Sequence, residues 1–281
     1  MLRRWLSLFL LVACSGSVAV PATTAAPGST TTAPLTTAAA PPTTTTNPYA
    51  RPDWLGTRPL PLRSDEFGEV QATPAELVDR RLETIDSLPP PSGDEFEHTI
   101  SSIPTEVLAR SSWSDECPVG LDELAYITVS HFGFDQKFHT GEMILHASVA
   151  EDVVEVFRKL HGVRFPIEQI RVITAEEIDA HPTGDWNDTT SFVCRPAVGS
   201  GSWSNHAYGL AIDINPFHNP YLKGDLVLPE LASVYIDREN VRPGMILEGD
   251  VVTQAFADMG WPWGGHWRTL KDWMHFSHDG R

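Results

Sequence analysis

S-N-H-A-Y-G-L-A-I-D-I-N, Ser204 to Asn215, is the stretch on which the reading of this chain rests. Leu210, Ile212 and Ile214 alternate with Ala211, Asp213 and Asn215. That period of two describes a strand with its aliphatic residues on the core face. Asp213 falls on the other face, beside the small Ala211. A carboxylate in an apolar strand is costly to bury unless it is paired or bound to a cation. Capping a turn, pairing with an Arg and holding a metal are its three readings. His206 stands seven residues earlier, ahead of Tyr208-Gly209. A chain that leaves His206, turns at Gly209 and enters the strand can bring both side chains to one point. Far downstream, D-W-M-H-F, Asp272 to Phe276, adds a second imidazole, His275, and a second acid, Asp272. Two imidazoles, one ligating carboxylate and one spare acid are the components of a catalytic zinc site. Three protein ligands leave one position for water. Bound water drops in pKa from about 16 to about 7, and a nearby carboxylate can take its proton. Asp272 and His275 lie an odd number of residues apart, so a straight strand would face them to opposite sides. A shared site therefore requires Asp272 to lie in the turn before the strand; a solvated loop acid beside Lys271 is the other reading.

Working outward, Leu124 to Phe132 and Gly141 to Ala147 are β-rich runs separated by a Gly-Phe-Asp turn, which predicts a hairpin. Ser148 and Glu151 open a helix whose apolar face is Val153, Val156, Phe157 and Leu160, ending at Gly162. Ile170–Thr174 and Thr190–Cys194 read as short strands, Val251–Met259 as a helix closed by Gly260, and Trp273–Ser277 as a last strand. Strands and helices mix without a regular βαβ repeat, so the fold class is α+β over residues 111–281. Thr73-Pro74-Ala75-Glu76 is a capping box that predicts a helix to Leu88, stopped by Pro89-Pro90-Pro91. Residues 51–110 otherwise read as a linker carrying that one helix. The segment G-W-P-W-G-G-H-W, Gly260 to Trp267, suits either a loop that wraps a substrate or core packing of Trp261, Trp263 and Trp267.

The first 50 residues contain no Asp or Glu, and the whole chain carries a net charge of −17. Without residues 1–13, and hence without Arg3 and Arg4, the charge becomes −19. So acidic a body lacks the basic footprint that nucleic acid requires and gains nothing from anionic headgroups. The N-terminus has a charged pair, Arg3-Arg4, and an apolar run from Trp5 to Ala13 too short to span a bilayer. Leu11-Val12-Ala13-Cys14 resembles the lipobox of bacterial lipoproteins, which implies cleavage before Cys14 and acylation of its thiol. An ordinary secretory signal cut a few residues later is the alternative, and both export the chain. Residues 14–50, rich in Thr, Ala and Pro, cannot build a core and read as a tether reaching at most about 110 Å. Export leaves Cys117 and Cys194, 77 residues apart, as a permissible disulfide contributing about 4 kcal/mol by chain entropy. These readings place the protein outside the cytoplasm, lipid-anchored and facing the cell wall, and otherwise monomeric.

The pattern Ser-x-His-x-x-Gly-x-Ala-x-Asp followed by Asp-x-x-His resembles the zinc D-alanyl-D-alanine carboxypeptidases and L-alanyl-D-glutamate endopeptidases, whose fold is shared with hedgehog signalling domains. F-V-C-R, the Ser204 stretch, W-G-G-H-W and D-W-M-H-F find counterparts in the endopeptidase-like branch, over roughly residues 117–278. The resemblance implies a small antiparallel sheet with flanking helices and one zinc ion held by His206, Asp213 and His275. It implies Asp272 as general base, Arg195 as a cation near the substrate carbonyl, and Ser204 and Trp267 in substrate binding; Ser204 could equally orient His206. A surface salt bridge is the other reading of Arg195. It implies peptide stems of peptidoglycan as partners. Carboxypeptidase relatives usually carry Glu where this chain has Asp272, which agrees with the endopeptidase branch. His218, His266 and His278 read as non-ligands, since three ligands are already in hand. A non-catalytic zinc-containing lipoprotein that only binds cell wall is the alternative function. Non-haem iron oxygenases also use two His and one carboxylate, but hold their first His and acid one residue apart rather than seven.

Overall fold

The computed structural model describes residues 47–197 and 200–280. The expected signal segment, the lipidation of Cys14 and nearly all of the tether lie outside the described residues. Ten strands and four α-helices follow in chain order: β1 (His98–Ser101), α1 (Thr105–Arg110), β2 (Leu124–Phe132), β3 (Phe138–His146), α2 (Ala150–Gly162), β4 (Gln169–Ile170), α3 (Ala175–Ile178), β5 (Asp188–Thr189), β6 (Ala211–Asp213), β7 (Tyr221–Lys223), β8 (Leu226–Leu228), α4 (Val251–Asp258), β9 (Lys271–Asp272) and β10 (His275–Ser277). They form an antiparallel β1-β2-β3 sheet, an antiparallel β8-β7-β9 sheet, an antiparallel β10-β6 pair and a parallel β4-β5 pair. The class is mixed helix and strand.

The β2–β3 hairpin is fully paired from Leu124↔His146 to Phe132↔Phe138. Its period-two alternation sorts the side chains into two cores. Ala125, Ile127, Val129, Met143 and Leu145 face the larger one, with Val153, Val156, Phe157 and Leu160 of α2 and with Ile212, Ile214 and Phe276. Leu124, Tyr126 and Ile144 face a second, with Val107, Val119 and Phe192. The Cys117–Cys194 disulfide packs on this second core, with Cα atoms 5.8 Å apart. Helix α2 carries Glu151 and Asp152 in its first turn and Lys159 and His161 in its last, which suits the helix dipole. Its start shifts from the expected Ser148 because Ala147–Val149 forms a 3-10 turn capped by the His146 side chain.

The expected linker over residues 51–110 is corrected. Residues 46–281 are one compact unit, and β1 pairs with β2. The expected helix to Leu88 is a single 3-10 turn, Ala75–Leu77, followed by extended chain. Thr73 does not cap it: its hydroxyl donates to the Leu231 carbonyl (2.6 Å) and its N–H to Ser233 Oγ (3.2 Å). The extended chain buries Arg80 and Leu82, and Leu60, Leu77 and Leu82 join Phe217, Leu231 and Tyr235 in a further apolar cluster. Tertiary packing therefore overrides a sound local helix signal. Arg80 is held by Glu168 through two 2.7 Å bonds, by the Asp185 carbonyl (2.7 Å), and lies over the Phe217 ring. Asn187 and Arg51 also donate to Glu168.

Candidate metal centre

His206 sits in a 3-10 turn, Asn205–Tyr208, whose cap is Ser204: the Ser204 hydroxyl accepts from the His206 N–H at 3.3 Å. Gly209 ends the turn at φ +67°, and a side chain there would meet the His146 backbone nitrogen at 2.5 Å. That reversal delivers the chain into β6. Within β6, Ile212 is buried in the main core and Asp213 points the other way. The antiparallel register sets Asp213 opposite His275 of β10, while its other edge bridges Thr190. The donor atoms converge. His275 Nδ1 is 2.9 Å from Asp213 Oδ1, His206 Nε2 is 3.2 Å from Asp213 Oδ2, and the two imidazole nitrogens are 3.2 Å apart. All three residues are buried, and among the described residues they form the one group placed to share a metal.

His206 and Asp213 are prepared for a cation. His206 Nδ1–H donates to the Ser191 carbonyl at 2.6 Å, which fixes the tautomer and leaves the Nε2 lone pair turned to the cluster. Burial opposes charge on Asp213, but His206 and His275 outweigh it and hold its carboxyl far below the ordinary carboxylate range. Two imidazole nitrogens and one carboxylate match the preferences of zinc. The charge balance points the same way. No Lys or Arg donates a hydrogen bond to Asp213 or Asp272 among the described residues, and Arg195 acts on Asp272 only at a distance.

Asp272 comes from the neighbouring sheet. It was expected in a turn before the last strand; it lies instead in β9, opposite Tyr221, and Trp273-Met274 carries the chain across to β10. That change of sheet is what reconciles an odd spacing with a shared location. Asp272 Oδ1 is buried with no hydrogen-bond partner among the described residues. Burial pushes its carboxyl up to about 7, with Asp213 adding to the rise and His275 and Arg195 opposing it. A proton can therefore be held or released there near neutrality. Arg195 lies close enough to act on Asp272 electrostatically, yet its guanidinium donates to the Pro196 carbonyl at 3.1 Å. Trp267 stacks at a tilt on His275, ring centres 5.5 Å apart, and its indole N–H donates to the Gly280 carbonyl. His218 belongs to the Arg80–Glu168 cluster, its Nε2 against the Arg80 carbonyl at 2.9 Å. His266 is exposed and pairs with Glu248, and His278 is exposed. The Ser191 carbonyl was missed by side-chain reasoning, although the strand expected at Thr190–Cys194 was the signal that could have found it.

Residues 198–278 match a family profile described as D-alanyl-D-alanine carboxypeptidase. The match falls on the part of the chain that carries the motifs of the resemblance. The carboxypeptidase match takes in Ser204, His206, Asp213, Trp267, Asp272 and His275, the residues that the two sheets bring together. It leaves out Arg195 and both cysteines, which precede it. No curated protein and no solved structure matches the chain.

Proposed function

We propose that the protein is a zinc-dependent peptidase that hydrolyses the peptide stems of peptidoglycan, on the fold shared by hedgehog domains and these peptidases. The observation that carries this is the convergence of His206 Nε2, Asp213 and His275 Nδ1 beside Asp272, whose buried Oδ1 has no hydrogen-bond partner among the described residues. One zinc ion held by those three residues would supply Lewis acidity to water and to the scissile carbonyl.

The chain's own groups do the rest. Asp272 accepts a proton from the attacking water at its carboxylate and returns it to the departing amine, which its position near neutrality allows. The Ser191 carbonyl keeps His206 in one tautomer throughout. Arg195 turns from Pro196 toward the substrate carbonyl, where its cation acts on charge that develops in the transition state. Ser204 fixes the turn that carries His206, and Trp267 walls the site over His275. With the Cys14 lipid and the Thr/Pro tether, the enzyme would work outside the cell, as a monomer held to the membrane by lipid alone.

The test is mass spectrometry of purified muropeptides incubated with the full chain and zinc. Loss of a single D-Ala identifies a carboxypeptidase. Scission between the first and second stem residues identifies the endopeptidase that Asp272 and the W-G-G-H-W segment favour. Zinc-loaded protein that leaves every muropeptide intact overturns the reading in favour of a wall-binding lipoprotein.

A further inference from the structure

Asp272 poses a positioning problem. Its Oδ1 has no hydrogen-bond partner among the described residues, so the carboxylate depends on its backbone for its place. A proton-transfer group has to be held to a fraction of an ångström; a misplacement of about 1 Å can cost about a hundredfold in rate. Something must therefore grip the chain around residue 272.

The Trp263-Gly264-Gly265 turn does so from several directions. Lys271 Nζ donates to the Gly265 carbonyl at 2.8 Å, and the buried Trp263 indole N–H donates to the Trp273 carbonyl at 2.8 Å. These two bonds bracket Asp272 on its N- and C-terminal sides. Between them Gly264 lies directly on Asp272: a Cβ at residue 264 would stand 2.6 Å from the Asp272 carbonyl oxygen and 3.0 Å from its Cβ. At Gly265 a Cβ would meet the Trp263 ring at 2.5 Å. Neither glycine has a positive φ, so both answer to space rather than to backbone conformation. Trp263 is anchored in turn by an antiparallel bridge to Phe276, the residue after His275, and by stacking on its ring. The grip thus runs from Lys271 to Phe276 and holds the base in a fixed relation to the strand that carries a metal ligand.

We propose that the Trp263-Gly264-Gly265 turn is the mount that positions Asp272, with Gly264 a positioning residue for the reaction. Of the two roles offered by the sequence, core packing holds for Trp261 and Trp263, which are buried in the main core; positioning Asp272 is a further role of the same segment. The proposal rests on the reading of Asp272 as the base.

The test is a double-mutant cycle on the full, zinc-loaded chain with purified muropeptides as substrate. Gly264→Ala is expected to lower kcat about 10- to 100-fold, with KM and zinc stoichiometry unchanged. In an Asp272→Asn background the same substitution should cost nothing further, whereas a purely structural role would cost as much in both backgrounds. Lys271→Met, which removes one tie without adding an atom, should lower kcat more mildly and serves if Gly264→Ala does not fold. Crystal structures of wild type and the folded variant give a readout independent of turnover: Asp272 should be displaced relative to His275. Wild-type kcat in both variants, an Asp272 that has not moved, or loss of zinc together with activity overturns the proposal. Full turnover by Asp272→Asn alone would instead overturn the assignment of the base, and so separates the two failures.

Discussion

Two of the polar clusters among the described residues are built on opposite principles. Around Arg80 and Glu168, every charge has its answer inside the fold: a two-bond ion pair, the Asp185 carbonyl, Asn187 and Arg51. Around His206, Asp213, Asp272 and His275, two carboxylates meet imidazoles; among the described residues no guanidinium bonds to them and one carboxylate oxygen has no partner. Two acids, Glu168 and Asp272, are pushed in opposite directions. Arg80 first, then Arg51, overcome burial and hold Glu168 down to about 2, while burial prevails at Asp272 and lifts it to about 7. A cluster closed on itself fastens the fold. A cluster open by a positive charge has room for a cation and for chemistry.

Substitutions that exchange the two outcomes test that contrast. The largest effect belongs to Asp272→Asn, which should keep fold and zinc while losing about two to four orders of magnitude in turnover, measured by kinetics beside metal analysis. Zinc loss in that variant would make Asp272 a ligand. Arg195→Ala should also retain zinc and should slow the chemical step by about tenfold or more, read by single-turnover assays. Glu168→Gln should act in the other sense. It strands a buried guanidinium and should cost about 3–5 kcal/mol of stability in urea unfolding, with zinc affinity unchanged.

The same residue gives the smallest and most specific signal, in pH. The folded pKa of Glu168 is depressed from its ordinary 4.5 to about 2, burial being outweighed by Arg80 and then Arg51. Between those values the unfolded chain binds the extra proton, so stability rises with pH across the window. Its contribution is complete above about pH 4.5 and is lost as pH falls toward about 2. In the Glu168→Gln variant the acid limb of a stability–pH curve should flatten over that interval. An unchanged limb would place the acid sensitivity elsewhere.

Much of the site was legible because its parts are local. The alternation through Leu210–Ile214 fixed which way Asp213 faces, and Gly209 supplied the reversal that lets His206 reach it. The hairpin, α2 and α4 followed from period and caps. What sequence could not supply was long-range. Thr73 looked like a helix cap because its neighbours fit one, yet its hydroxyl is spent on Leu231, 158 residues away. Arg80 read as part of a helix, while its partner Glu168 lies 88 residues on. The odd spacing of Asp272 and His275 pointed to a turn, and the actual solution, a step between two sheets, depends on β7. The mount under Asp272 is likewise a matter of close approach, which glycines permit but do not announce.

The central claim is that the open cluster is completed by one zinc ion. The most direct measurement is calorimetric titration of zinc into metal-stripped full-length protein, alongside His206→Ala and His275→Ala. Wild type should take up one equivalent tightly, and each variant should lose nearly all of that binding while Glu168→Gln retains it. Full zinc occupancy in either histidine variant, or no uptake by the wild-type chain, would contradict the account.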